Sequence, residues 1–235
     1  MKIYVPTSDK FLHLAEPYSI LFNKYWPNQE VVYLGYSPIE YKLPNNFSYI
    51  SLGKQEDFGN SWTSALIPFF SNLKEDYFII TIDDMFLIGQ VDQSMVDEME
   101  NFVKTNVADK AMLHAHMTFK YGDKFSGNVY KLRQDSPYRT SLHPSIWKKE
   151  YFLKYLKPDM HIWAFELNFK LSKNDGATIL AHKTKSSDNV CSDLRGDNVV
   201  NCTNVYSKGN FYLNKTEWCD PNDKDLVLKY VKEHV

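Results

Sequence analysis

The stretch Tyr77-Phe78-Ile79-Ile80-Thr81-Ile82-Asp83-Asp84-Met85-Phe86-Leu87 decides the fold. A run of β-favouring apolar residues ends in two adjacent carboxylates and then turns apolar again. An apolar run this short reads as a buried strand. Burying two neighbouring carboxylates costs several kcal/mol unless something positive compensates them. A divalent cation does so most simply, because hard cations such as Mg²⁺ take oxygen ligands, typically carboxylates together with substrate phosphates. The stretch therefore predicts phosphate-ester chemistry at the C-terminal end of a strand, where open α/β sheets bind ligands. The plainer alternative is a solvated turn after a strand, where Asp is common.

Upstream, the chain alternates strand and helix. Lys2–Val5 reads as a first strand, ending at Pro6-Thr7-Ser8-Asp9. Phe11–Tyr25 has apolar residues at helical spacing, Glu30–Gly35 and Phe47–Leu52 read as strands, and Trp62–Leu73 as an amphipathic helix. Strands separated by helices predict an α/β fold with a mostly parallel central sheet flanked by helices. Downstream, Ser94–Asn106, Pro144–Leu156, Trp163–Leu171 and Lys224–His234 read as helices, and Ala111–Phe119, Val129–Arg133 and Ala177–His182 as strands. Ser186–Ser207 is polar and reads as a loop that orders on ligand binding. No repeat or linker interrupts residues 1–235, so one domain is expected.

The chain has 235 residues, of which 43% are hydrophobic and 15% aromatic, enough for a large core. With 27 basic and 29 acidic residues its net charge is −2, so no overall pull toward nucleic acid is visible. The 3 cysteines, Cys191, Cys202 and Cys219, form no CxxC pair, which argues against a disulfide framework or zinc site and for a reducing compartment. No apolar run reaches the ~18–20 residues that span a bilayer, and the N-terminus reads as a strand rather than a signal peptide. A cytoplasmic location is expected.

Two further segments carry chemistry: Tyr138-Arg139-Thr140-Ser141-Leu142-His143-Pro144-Ser145-Ile146-Trp147-Lys148-Lys149, and His161-Ile162-Trp163-Ala164-Phe165-Glu166. A strand ending in Asp-Asp-x-Phe, then Ser-x-x-Pro-x-x-Trp-Lys, then Trp-x-Phe-Glu resembles small GT-A-type glycosyltransferases, which use nucleotide sugars. The resemblance runs from Met1 to about Lys208. It implies a single GT-A-like (Rossmann-like) domain, with residues 1–92 as the nucleotide-sugar-binding half and 93–235 as the acceptor-side half.

In that family the acidic motif holds a divalent cation, Mn²⁺ or Mg²⁺, on the donor diphosphate. The usual pattern is Asp-x-Asp, and here it is Asp-Asp-Met. The resemblance thus implies Asp84 as the direct metal ligand, with Asp83 on the ribose or a metal-bound water; His182 reads equally as a third ligand or as an ordinary strand-end histidine. Thr7, Ser8 and Asp9 would meet the nucleobase and ribose; Asp9 reads equally as a helix N-cap. Arg139 and Lys208 are candidates for neutralising diphosphate, along with His143, Lys183, Lys185 and Arg195. His114 and His116 share one strand face without an evident third ligand. Glu166 is the expected catalytic base: an acceptor hydroxyl must lose its proton, and the aromatic setting of Trp163 and Phe165 raises a carboxyl pKa toward the working range. A helix-start glutamate with a structural hydrogen bond is the alternative.

The expected function is transfer of a sugar from a nucleotide-sugar donor to an acceptor hydroxyl, with inversion. The acceptor is a surface glycan or a hydroxylated DNA base of phage type; a patch of Lys120, Lys124, Lys131 and Arg133 would serve the latter. Two other classes compete. A nucleotidyltransferase shares the sheet and carboxylates but usually has a Gly-rich loop after the first strand, which Pro6-Thr7-Ser8-Asp9-Lys10 lacks. A non-catalytic glycan-binding module would suit the 5 Trp and 16 Tyr.

Overall fold

The computed structural model describes residues 1–39, 42–113, 122–182, 202–204, 206–207, 210–211 and 220–234. The first part of the chain forms β1 (Ile3–Pro6), a 3-10 helix (Asp9–Leu14) running into α1 (Ala15–Tyr25), β2 (Val31–Gly35), β3 (Phe47–Ser51), a second 3-10 helix (Gln55–Phe58), α2 (Thr63–Ser71), β4 (Tyr77–Ile80), β5 (Met85–Leu87) and α3 (Gln93–Lys104). Then come β6 (Lys110–Met112), β7 (Gly122–Ser126), β8 (Val129–Leu132), β9 (Ser145–Lys148), α4 (Lys149–Tyr155), α5 (Ile162–Glu166), α6 (Phe169–Ser172) and β10 (Ile179–His182). Short strands β11 (Cys202–Asn204), β12 (Tyr206–Ser207) and β13 (Asn210–Phe211) precede α7 (Pro221–His234).

Among the described residues the central sheet has nine strands, in the order β3-β2-β1-β4-β9-β6-β10-β8-β7. β3, β2, β1 and β4 are parallel neighbours, as are β6 and β10. β9 runs against β4 and β6, and β8 against β10 and β7. The fold is therefore α/β with a mostly parallel sheet flanked by helices, as the alternation of elements predicts.

Side-chain alternation puts a different aromatic layer on each face of this sheet. On one face Tyr4 packs edge-on against Phe69, Phe70 and Phe78, and Phe70 meets Phe152 of α4. On the other, Tyr18 and Phe22 of α1 pack against Tyr33, Phe47 and Phe86. Edge-to-face pairs each add about 0.5–1.5 kcal/mol beyond the area they bury.

The reversed strand matters most for function. Ser145, at the start of β9, lies opposite Ile80, near the end of β4. Whatever precedes β9 is thereby delivered to the sheet end where Asp83 and Asp84 emerge.

Several sequence expectations are corrected here. Pro144–Leu156 is not one helix, because Ser145–Lys148 within it form β9 and only Lys149–Tyr155 are helical. Ile146 and Trp147 are fully buried between β4 and β6, and a four-residue run has too few positions for period 2 and period 3.6 to be told apart. Trp163–Leu171 is likewise two short helices, α5 and α6. Met85–Leu87, read only as the apolar tail of the acidic motif, is a strand paired with Cys202–Asn204, which falls inside the expected Ser186–Ser207 loop. Residues 114–119 of the expected Ala111–Phe119 strand, and most of that loop, lie outside the described residues.

One close approach ties the sheet to the ligand end. A Cβ placed on Gly35 would sit 2.5 Å from the Tyr49 hydroxyl and 3.0 Å from the Thr7 methyl. Tyr49 is held by a hydrogen bond to the Ser37 carbonyl. Gly35→Ala should therefore destabilise the protein by about 1–3 kcal/mol, as overpacking does, and chemical denaturation will read it as a lower midpoint at unchanged slope.

Candidate active site

Parallel strands end together, and their C-terminal ends open onto a cleft of about 620 Å³. β1 contributes Pro6, Thr7 and Ser8, the segment after β4 contributes Ile82, Asp83, Asp84 and Met85, and Tyr36 follows β2. The opposite wall comes from the second half of the chain: Tyr138, Ser141 and His143 lead into β9, and His161, Ile162, Trp163 and Glu166 belong to α5 and its cap. The acidic pair and the glutamate, nominated separately from the sequence, thus face one space.

Asp83 is 7% exposed, and Thr7 Oγ1 donates to its Oδ2 at 2.5 Å. Burial pushes its carboxyl up to about 7, and the Thr7 hydroxyl only partly opposes this. Asp84 is half-buried beside it. Among the described residues lining the cleft, Lys10 carries the one fixed positive charge, and it is exposed. Two neighbouring carboxylates, one of them deeply desolvated, with so little cationic compensation among the described residues, suit a hard divalent cation. Among the described residues no third His, Cys, Asp or Glu joins them. The rest of a coordination shell would be phosphate oxygen and water.

Glu166 ends α5. The Leu142 N–H donates to its Oε1 at 2.8 Å, and the Thr140 hydroxyl donates to its carbonyl oxygen at 3.1 Å. Burial raises its pKa above the ordinary carboxylate range, while the Leu142 N–H, Lys110 and Ser141 oppose the shift. His161 caps the helix, its Nδ1 accepting from the Ala164 N–H at 3.2 Å. Trp163 is 53% exposed, so its indole is not core.

Three sequence assignments are corrected. Arg139 is fully buried and absent from the cleft wall. Its guanidinium donates to the Ser172, Arg133 and Ala177 carbonyls and pairs with Asp175 at 2.6 Å. Four of its five N–H donors are thus spent inside the protein, and the group is buried away from the cleft where a diphosphate would lie. Asp9 spends both carboxylate oxygens on Ser37, accepting from its N–H at 2.8 Å and its hydroxyl at 2.7 Å. It therefore braces the loop after β2, and neither meets a base nor caps the helix. His182 ends β10, 3.6 Å from Glu98, with β9 and β6 standing between it and β4. Three inter-strand steps amount to about 14 Å, too far for a ligand shared with Asp84.

Thr7, Ser8 and His143 line the cleft. Lys208, Lys183, Lys185, Arg195, His114 and His116 lie outside the described residues.

The Arg139 cluster has its own expected outcome. Asp175 is 2% exposed and also accepts from the Tyr151 and Tyr155 hydroxyls. Burial alone would raise its pKa; the Tyr155 hydroxyl, the Ala177 N–H and Arg139 together hold it below the usual range. Arg139→Ala strands that carboxylate, so it should cost about 3–5 kcal/mol of stability, measured by urea unfolding.

Sequence reading passed over Lys110, Tyr36 and Tyr138. Lys110 is fully buried in β6; its Nζ donates to the Ser141 carbonyl at 2.6 Å and the Arg139 carbonyl at 3.2 Å, and lies 4.0 Å from the Trp147 ring centre. Burial drives its pKa well below the ordinary lysine value. It clamps the loop that hydrogen-bonds Glu166. A lone lysine opening an apolar run gave no signal of this.

No protein-family model matches the sequence, and no curated protein matches it. Among solved structures the chain is similar to S. aureus TarS 1-349, with a TM-score of 0.49 and 13% identity over 78% of this chain and 58% of that one. It is similar to the same protein in complex with UDP-GlcNAc, with a TM-score of 0.47, 12% identity, and coverage of 78% and 56%. An apo UDP-glucose pyrophosphorylase matches with a TM-score of 0.44 and 12% identity over 100% of this chain and 99% of that one. The chain therefore spans little more than half of the TarS fragment. At such values the assignments of residues rest on the cleft itself.

Proposed function

We propose that this protein is a metal-dependent glycosyltransferase of GT-A type, moving a sugar from a nucleotide-sugar donor to an acceptor hydroxyl with inversion. The observation that carries the reading is the meeting of Asp83 and Asp84 with Glu166 across one cleft at the strand ends. Residues 1–92 supply the donor side and residues 93–235 the acceptor side of a single domain, working in the cytoplasm of a bacterium or an infected host.

Asp84, with Asp83 beside it, would hold Mg²⁺ or Mn²⁺. A cation there offsets the charge that develops on the leaving diphosphate. Thr7 and Ser8 bind the nucleoside end, and Thr7 orients Asp83. Glu166, turned by the Leu142 N–H, accepts the acceptor's hydroxyl proton as the oxygen bonds to the anomeric carbon and the bond to the diphosphate breaks. A carboxyl raised by burial is a stronger base than an exposed one, which suits it to proton transfer near neutral pH.

A glycan suits this cleft better than a hydroxylated DNA base. Among the described residues its walls carry three carboxylates, Asp83, Asp84 and Glu166, against one lysine, Lys10, and phosphodiesters are bound by neutralising their charge.

The deciding experiment is a thermal-shift screen with UDP, GDP and CDP compounds, with and without Mn²⁺. One nucleotide should raise the melting temperature, and only with the cation. A glycan-binding module ignores all of them. Pyrophosphate release from a nucleoside triphosphate and a sugar phosphate would replace this reading with nucleotidyl transfer.

A further inference from the structure

Among the described residues, five other than glycine sit at positive φ: Asn28, Asn106, Tyr138, Asp159 and Asn174. Four are Asn or Asp, whose short polar side chains tolerate the left-handed region. Tyr138, at φ 57°, is the exception, a bulky residue where Gly or Asn would be easier. Its ring does not repay the strain by filling the core, for it is 39% exposed. Backbone strain of this kind persists where the surroundings enforce it, and it gathers at ligand sites.

Tyr138 opens the turn that leads to Ser141, whose N–H donates to the Tyr138 carbonyl at 3.0 Å. Ser141 and Leu142 are the residues that hold Glu166. Trp163, three residues before Glu166 on α5, is the other exposed aromatic of the same cleft. Among the described residues, two exposed aromatics thus line the cleft that Glu166 also lines.

We propose that Tyr138 and Trp163 form the acceptor subsite, stacking on a pyranose ring so that one of its hydroxyls meets Glu166. The proposal rests on the glycosyl-transfer reading above and narrows its acceptor to a carbohydrate. A pyranose has apolar C–H faces and a rim of hydroxyls. An aromatic face takes the former while leaving the latter for directed hydrogen bonds. The carboxylate-rich walls suit a neutral sugar.

The test is saturation-transfer NMR and tryptophan fluorescence with methyl β-glucopyranoside, methyl β-galactopyranoside, N-acetylglucosamine, cellobiose and lactose, each alone and with UDP and Mn²⁺. At least one sugar should receive saturation on its ring protons and quench the indole. Tyr138→Gly and Trp163→Ser should each weaken that binding roughly tenfold. Val107→Ser, an exposed apolar residue elsewhere, should not weaken it. Tyr138→Gly should also melt at the same temperature as the native protein or higher, since glycine relieves the left-handed backbone. A merely structural tyrosine would give the reverse: a lower melting temperature and unchanged sugar binding. Either of those results, or no sugar bound while UDP and Mn²⁺ still bind, overturns the subsite. Sugar binding with no nucleotide binding would sink the transferase reading and leave the subsite standing.

Discussion

Glu166→Gln should lower kcat by roughly 10²–10⁴-fold, the usual contribution of a positioned base, and leave nucleotide affinity unchanged. The substitution is nearly isosteric. The amide oxygen still accepts from the Leu142 N–H, and the Thr140 bond to the backbone carbonyl is untouched. Lys110 keeps both of its carbonyl acceptors. What disappears is the capacity to take a proton. The pH profile gives a second readout. The base acts only when ionised, so the native rate should rise with pH through the elevated Glu166 pKa and then level off. The variant should lose that limb. Stability has the opposite sign: a carboxyl raised in the folded state favours folding when protonated, and that contribution fades as pH climbs through its folded pKa. The neutral amide should therefore be no less stable than the native protein at alkaline pH. Steady-state kinetics, nucleotide titration and urea unfolding across pH check these points, and a large loss of nucleotide binding would remove Glu166 from the base role.

The second large effect is at the acidic pair. Asp84→Ala should abolish sugar transfer and the cation-dependent part of nucleotide binding. A ligand at a hundredfold excess over its Kd stabilises the folded state by about 2.7 kcal/mol, which for a chain of this size is a shift of several degrees in Tm. The native protein should show that shift with nucleotide and Mn²⁺ together, and the variant should show none. Asp84 is half-buried and follows the end of β4 rather than lying within the sheet. Full turnover by Asp84→Ala with a confirmed donor would show that the carboxylate pair does not hold the cation.

Much of the architecture was legible because it is written locally. A β-run closing on two carboxylates, and helices of regular apolar spacing, need only neighbouring residues to be read. The Glu166 segment was legible for the same reason, as an aromatic-flanked carboxylate. Legibility failed where distant segments decide. Nothing near Arg139 in sequence announces Asp175, so a candidate phosphate ligand became a buried fork. Asp9 is claimed by Ser37 after β2, and His182 by Glu98 from α3. Ile146 and Trp147 have a helical look beside Phe152 and Leu153, and only the gap between β4 and β6 makes them a strand. The left-handed turn at Tyr138 belongs to the loop's path, which composition does not encode.

The reversed strand also shapes the protein's biosynthesis. Tyr77 through Ile80 find their outer partner only when Lys148 through Ser145 have been made. Until then a nascent chain holds Phe78, Ile79 and Ile80 along an uncapped sheet margin, the kind of surface that recruits other chains. Slower translation prolongs that interval. Soluble yield should thus depend on how quickly the ribosome reaches this later segment, and on holdase chaperones that cover the margin meanwhile.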